Sequence, residues 1–590
     1  MAFDEPNYWK RIRRRQLLKG AALGAVGGAG LIAVGCGDDD TTKTPASGGT
    51  SSSGGTSPAA SPTPVPLTGF KWLQNQPDLT AQPKPGGALK YGITVSQGSL
   101  DPVKNSSYTA AYIYTPVYSR LFRPKFGSEL SPYNPWTLQI QPDLAASSES
   151  PTAGQGNIKI RPNVKWQNVA PVSGRAFTAD DVKYTLDTYT ASAEFNTAWL
   201  PIDSVTVPDS QTVSIKLKQP VNYLIPALAE MRVVMLPKEV AAADGDFSKR
   251  AIGTGPFILD QYTPNSVAHF TKNPDYYVAG KPYVNTVEYV RFKDATTARQ
   301  AYLTGQFPVG AQDGLGADAT YKDDLSQKPD GVALQLDSRW QAAVFFLGLK
   351  TDKPPFNNPM VAQALSQSYD RKAFAKTLNP NLGANAIGNF TWIDYFDKQP
   401  DLSSVNTYDV ANAKKLLSAA GVTGTVDATI DYAAYGQGLV DGIQFIAEQS
   451  KAAGFNLTPK LNDIAAYGPK FSQGQFDNMA LGFIATVPRY TPLTMKTFLE
   501  STSGRNALKI NDPDLDAQIK TLTTSTDQAA QKSAYQAIWN KVHLRPYLLP
   551  MLDSPVIFEW DKTVHNWLFN QYSDPAGWGQ QSMLEQVWLG

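Results

Sequence analysis

The chain has 590 residues, 42% hydrophobic and 18% charged, with 53 Lys/Arg against 52 Asp/Glu and a formal net charge of +1. That balance excludes the basic surface a nucleic-acid binder needs. A single cysteine, Cys36, excludes an intramolecular disulfide, and three scattered histidines (His269, His543, His565) are too thin a ligand set for a zinc or nickel site.

At the N-terminus Arg13, Arg14 and Arg15 precede Gln16-Leu17-Leu18-Lys19, and an Ala/Gly/Leu/Val run from Gly20 to Gly35 ends at Cys36. This is the order of a basic n-region, an apolar h-region and a small-residue cleavage site. Arg14 to Lys19 resembles the twin-arginine export motif RRxFLK, with Leu in the Phe place. Ala33-Val34-Gly35-Cys36 resembles a lipobox, with Ala33 where Leu is usual. Cleavage before Cys36 would make it the first residue and expose its thiol to lipid. The competing reading is a permanent membrane helix, which needs about 20 mostly apolar residues. The run Gly20–Gly35 is shorter than that and is broken by Gly24, Gly27, Gly28 and Gly30. Residues 1–35, the expected signal peptide, hold six Lys/Arg and two acids, which leaves 47 bases against 50 acids beyond them. Membrane attachment is therefore expected through lipid rather than through a polybasic patch. Residues 36–85 are expected to be a lipid-anchored flexible linker. Gly37 to Gly69 is mostly Gly, Ser, Thr, Pro, Ala and Asp, too poor in apolar surface to offset its ordering entropy.

The body from Gly86 onward exceeds one hydrophobic core, so two or three domains are expected. It contains no 18-residue apolar run and is expected to be soluble. Ala88–Ile93, Ile158–Ile160, Val205–Val207 and Val213–Leu217 read as strands, the last two as a hairpin around Asp209-Ser210. Thr178 caps a helix with Asp181 at its third position and Val182 and Leu186 on one face. Asp409 caps a second, with Ala413, Leu416 and Leu417 inward and Gly421 past its end. Leu439, Ile443, Ile446 and Ala447 form a third helical stripe. Phe455–Leu461 reads as a strand that Pro459 confines to a sheet edge. Strands and helices mix along the length, which argues for α/β or α+β domains.

No G-x-S-x-G, H-E-x-x-H or Walker-type sequence is present. Gly253-Thr254-Gly255-Pro256 is glycine-rich, but Pro256 removes an amide that a phosphate cradle would use, so a tight turn entering a strand is expected. Asp180-Asp181 serves a helix start. No catalytic residue, metal or cofactor is expected, and binding is favoured over catalysis.

Gly86–Gly92 with Ser99-Leu100-Asp101-Pro102; Ser173–Tyr184; Gly253–Phe257; Asn273–Tyr277; Leu347–Leu349 through Pro354–Asn357, Val361–Leu365 and Tyr369-Asp370-Arg371; and Tyr408–Gly421 follow one another along the body. Taken together and in that order, these segments resemble the family 5 extracellular solute-binding proteins of ABC transporters, the peptide, nickel and oligosaccharide binders. Two departures stand out: Lys350 replaces an Asn, and Ala362 replaces an Arg. The resemblance implies an α/β, periplasmic-binding-protein-like fold of two lobes with an extra inserted domain. Lobe I would be 86–124, 251–338 and 554–590, the inserted domain 125–250 and lobe II 339–553. It implies a monomer that closes on a peptide or other small solute and delivers it to an ABC permease, with no bond broken.

In peptide binders of the family an Asp pairs with the ligand's amino group. In the stretch Gly482–Pro492 that position falls on Thr486, and Arg489 replaces a second acid. A hydroxyl cannot neutralise a buried ammonium, whereas Arg489 suits a carboxylate or phosphate; its alternative is a solvated loop arginine. Tyr490 belongs to the same stretch. Tyr108, Trp340, Trp392 and Tyr395 are placed near the cleft by the resemblance, where aromatic faces stack on sugars or cations; core packing is the competing role for each. An exported hydrolase, or a membrane-tethered sensor on the same fold, remains the alternative.

Overall fold

The computed structural model describes residues 70–78, 81–93, 99–105, 111–124, 140–152, 154–192, 200–310, 321–336, 343–378, 407–434, 437–485, 491–551, 556–567 and 584–590. All lie in one compact unit, Val65–Gly590. Cys36 and the signal sequence fall outside the described residues, among which no helix is long and apolar enough to cross a membrane.

Three sheets share one continuous buried cluster. The first has the order Ala88–Ile93, Thr286–Arg291, Val267–Lys272, Phe257–Thr263; its first pair is parallel and the others antiparallel. Alternate residues bury one face: Leu89 and Tyr91, Val287 and Tyr289, Ala268 and Phe270. The second is antiparallel, in the order Ala145–Thr152, Gln155–Ile160, Thr212–Leu217, Ile202–Asp209. Its last two strands form the expected hairpin, closed at Asp209↔Thr212. The third joins Phe70–Gln74, Gly331–Leu336 and Val556–Asp561. The strand Phe70–Gln74 lies inside the stretch expected to be linker and corrects that boundary. Phe70, Trp72 and Leu73 supply apolar groups within an otherwise Pro-rich stretch, and Trp72 packs on the shared core.

A five-stranded sheet holds a separate core. Its order is Phe455–Asn462, Val426–Ala433, Met479–Ala485, Ala343–Leu349, Leu548–Pro550. Phe455–Asn462 is the edge strand, as Pro459 requires. Both faces are covered, so the central strands Met479–Ala485 and Ala343–Leu349 are apolar at every position. Leu347, Leu349, Met479 and Leu481 face one cluster with helices Pro359–Gln367, Val410–Ala419 and Gln437–Ser450. Phe346 and Ala480 face another with helices Pro513–Thr524 and Gln528–Leu544. Asp409 caps its helix by accepting from the Asn412 amide, and Gly421 past the end has φ 79°.

The stretch Ser173–Tyr184 shows why a short motif carries so much of this fold. Ser173 and Gly174 turn the chain at φ 54° and 72°, which aims Arg175 at the helix Ala179–Ala191. Arg175 holds Asp181 through Nη2–Oδ1 (2.7 Å) and Nη1–Oδ2 (2.9 Å), and Glu239 through Nε–Oε1 (2.6 Å). The buried Asp181 carboxylate also accepts from the Thr178 amide (2.9 Å) and the Trp166 indole (3.2 Å). Asp181→Ala leaves the indole N–H buried and one guanidinium edge unpaired. The expected loss is about 2–3 kcal/mol of stability, read as a lowered urea midpoint, with Asp181→Asn losing less.

Candidate functional site

In an open α/β sheet, ligands bind outside the carboxyl ends of the parallel strands. Val426–Ala433, Phe455–Asn462 and Met479–Ala485 are mutually parallel and end on one edge of the five-stranded sheet. Ala343–Leu349 is antiparallel and begins there, and Leu548–Pro550 ends there. That edge is where the polypeptide passes to and from the other core: the next described strand before Ala343 ends at Leu336, and the next after Pro550 begins at Val556.

Every residue expected to contact ligand (Tyr108, Trp340, Trp392, Tyr395, Thr486, Arg489 and Tyr490) lies outside the described residues. The strands next to four of them in the sequence, Ala343–Leu349 and Met479–Ala485, are described. Ala343 and Ala485 are register partners. In the sequence Thr486 directly follows Ala485, and Trp340 shortly precedes Ala343. Arg489 and Tyr490 follow Thr486 in the same stretch of sequence. Trp392 and Tyr395 follow Leu378, the end of the helix Arg371–Leu378, in the sequence. Tyr108 precedes the helix Ala111–Val117, whose Tyr112, Tyr114 and Val117 belong to the other core.

One polar cluster near this edge does not follow from the sequence pattern. Asp431 is buried in the strand Val426–Ala433 and meets the Lys470 ammonium at 2.5 Å. Lys470 also donates to Asn462 Oδ1 (2.9 Å), and Asn462 Nδ2 donates to Asp431 Oδ1 (3.2 Å). The Tyr467 hydroxyl stands 2.8 and 2.6 Å from the carbonyl oxygens of Asp431 and Leu481 and shares its single proton between them, tying the helix Ile464–Ser472 across two strands. The signal in the sequence is one acid inside the apolar run Ala428–Ala434. Its partners, Asn462 and Lys470, lie far along the chain and follow no local period.

The two departures from the family pattern are structural. Lys350 sits past the opposite end of its strand, donates to the carbonyls of Gly474 (2.6 Å) and Ala507 (3.2 Å), and lies over the Phe476 ring at 4.8 Å. Burial pushes its ammonium pKa down. Ala362 is buried in the helical core. The histidines are dispersed: His269 meets Asp260 at 2.7 Å, His543 stacks on Trp539, and His565 stacks on Trp588. Among the described residues no group of His, Cys, Asp or Glu could hold a metal. A polar cavity of about 10 Å³, lined by Arg120, Arg123, Asp143, Tyr276 and Glu585, has room for one water and not for a nutrient.

Comparison with known proteins agrees with this architecture. Residues 139–505 match the family model described as bacterial extracellular solute-binding proteins, family 5 middle. A Brucella ovis protein whose name assigns it to peptide binding for an ABC transporter is 26% identical over 476 residues, covering 77% of this chain and 84% of its own. The Helicobacter pylori binding protein DppA, solved with the peptide STSA, superposes with a TM-score of 0.73 at 18% identity, covering 86% of this chain and 98% of its own. AgaA of A. tumefaciens R10, solved with agropinic acid, also has a TM-score of 0.73, at 21% identity, with 85% and 99% covered.

Proposed function

Because the chain belongs to family 5 of the bacterial extracellular solute-binding proteins, we propose that it captures an acid-bearing peptide or other polar organic solute between two lobes and presents it to the permease of an ABC importer. Lobe I takes 86–124, 251–338 and 554–590 together with the strand Phe70–Gln74 that pairs with Gly331–Leu336, with 125–250 inserted, and lobe II takes 339–553. Export follows the twin-arginine signal, and a lipid on Cys36 holds the monomer at the outer face of the cell membrane. The observation that carries this reading is the Ala343–Ala485 pairing at the carboxyl edge. In the sequence Trp340 shortly precedes Ala343, and Thr486, Arg489 and Tyr490 follow Ala485, so the stretches adjoining the paired ends supply an indole, a hydroxyl, a guanidinium and a phenol. Thr486 offers no charge to an ammonium, whereas Arg489 offers two parallel donors to a carboxylate. Binding to one lobe alone leaves half the ligand in water, so contacts from both lobes favour the closed form by the difference in affinity between the two states.

Acidic peptides and sugar acids are expected to raise the melting temperature of the purified protein. By mass action the gain is about 2.7 kcal/mol at a ligand concentration of 100 Kd. Arg489→Ala is expected to weaken an acidic ligand about 10–100-fold, the value of one charge-assisted hydrogen-bonded group, and to leave neutral ligands unchanged. Native mass spectrometry of the protein as isolated identifies any retained solute. A panel of acidic and neutral solutes that leaves the melting temperature unmoved would sink the proposal.

A further inference from the structure

The strand Phe70–Gln74 has a position that solute capture does not account for. It is the outer strand of the sheet whose other two members, Gly331–Leu336 and Val556–Asp561, are the strands on either side of the two passages between cores. Phe70 pairs with Leu336, and Leu336 pairs with Val556. The first residue of the strand therefore stands in one row with the last residue before one passage and the first after the other. On the far side of the passages the chain is also paired: the Met551 amide donates to the Phe345 carbonyl at 2.8 Å.

The strand is held by side chains as well as by its ladder. Gln74 Nε2 donates to the carbonyls of Lys328 (2.5 Å) and Gly331 (3.2 Å), and Asn75 Nδ2 donates to those of Pro329 (2.8 Å) and Gly331 (2.9 Å). Trp72 meets the buried Trp560 edge-on, with centroids 6.3 Å apart. Trp560 lies on the third strand, so this contact reaches across the middle one. Lys328 closes the same end by an ion pair to Asp561 at 2.6 Å. The four amide bonds converge on the turn Lys328–Gly331 that starts the middle strand. A two-stranded ribbon twists and bends easily, and a third strand is what gives a sheet independent stability.

We infer that Phe70–Gln74 is a strap that stiffens the root of both passages, so that its pairing sets the balance between open and closed lobes. The same geometry joins the N-terminal segment at the pivot, where a load has the shortest lever arm on either lobe. The inference rests on the two-lobed capture reading. It adds that the segment leading back to Cys36 is mechanically part of the hinge rather than a passive leash.

The test uses the full chain with Cys36 replaced by Ser and a pair of fluorophores carried on non-natural residues at the exposed positions Gln261 and Glu448, which report the inter-lobe distance by single-molecule energy transfer. In Trp72→Ala/Gln74→Ala/Asn75→Ala the four side-chain amide hydrogen bonds and the Trp pair are gone. Hydrogen exchange at 331–336 is expected to accelerate, and the solute-free distance distribution to broaden and shift. In Lys71→Cys/Gln335→Cys, which lie opposite each other, oxidation is expected to lock the strap and narrow the distribution; this arm decides the matter if the triple variant does not fold. A wild-type distribution that moves with acidic peptides, while released and locked straps superpose on it, overturns the strap alone. A wild-type distribution that no solute moves overturns the capture reading and the strap with it.

Discussion

Gly253→Ala is expected to cost about 4 kcal/mol or more, at the upper end of what single substitutions do, and to be read as a large fall in the urea midpoint. A Cβ at Gly253 would stand 2.2 Å from the Val117 carbonyl oxygen and 2.7 Å from the Tyr118 Cα; one at Gly255 would stand 2.6 Å from the Val117 carbonyl carbon. These neighbours are backbone and cannot rotate away as a side chain could. They are also pinned. The Gly255 amide donates to Val117 O at 2.8 Å. The fully buried Gln167 accepts from the Gly253 amide (3.1 Å) and donates to Phe257 O (2.7 Å) and Val117 O (3.2 Å), and Asn273 donates to Gly255 O (2.8 Å). Four chain segments thus meet at one seam, and moving any of them breaks hydrogen bonds of the others. Gly421 supplies the contrast. Its φ is 79°, but nothing lies within 4 Å of its would-be Cβ, so alanine there is expected to cost only about 1 kcal/mol of backbone strain. Equal losses at the two positions would show that the seam relaxes.

What the sequence can disclose follows from how local each cause is. Pro459 confines its strand to an edge because a missing amide is a property of one residue. The helix at Ala179 is legible because Thr178 and Asp181 lie within reach of one another along the chain. Gly253 and Gly255 read as a turn into a strand, and the chain does bend into Phe257–Thr263 there. The larger reason for two glycines is the approach of Val117, from a distant part of the chain, which leaves no local trace. The strand Phe70–Gln74 is hidden for a related reason. Three apolar residues in a Pro-rich stretch have no pattern of their own and become a strand only because Gly331–Leu336 offers an open edge. The Asp431–Lys470–Asn462 cluster is legible only as an acid out of place. The ligand-contact candidates Trp340 and Thr486 rest on resemblance alone; the pairing of Ala343 with Ala485 depends on the register of two strands far apart in sequence, which no local pattern discloses.

Stability is expected to fall on mild acidification, and His543 identifies where. Its imidazole is buried in the last turn of Gln528–Leu544, stacked on Trp539 at 4.1 Å between centroids and walled by Met495, Leu499, Ile538, Val542 and Leu548. Nδ1 donates to the Trp539 carbonyl at 2.8 Å. Burial is the largest influence and lowers the pKa from 6.5 to about 4; the carbonyl opposes it, and the nearby Arg371 guanidinium reinforces it. The C-terminal end of a helix favours a cation by only about 0.3–2 kcal/mol, which is not enough to restore the proton here. The folded chain therefore holds a neutral ring where the unfolded chain binds a proton, and the unfolded state carries the excess protons between pH 4 and 6.5. Stability is complete above that interval and is lost as the pH falls through it, by roughly 3 kcal/mol at the lower limit for a depression of this size. Urea midpoints at pH 7.5 and pH 4.5 should differ by less in His543→Phe than in the wild type, because the aromatic stack survives while the titrating group does not. A variant whose acid loss matches the wild type would place the acid sensitivity on other groups.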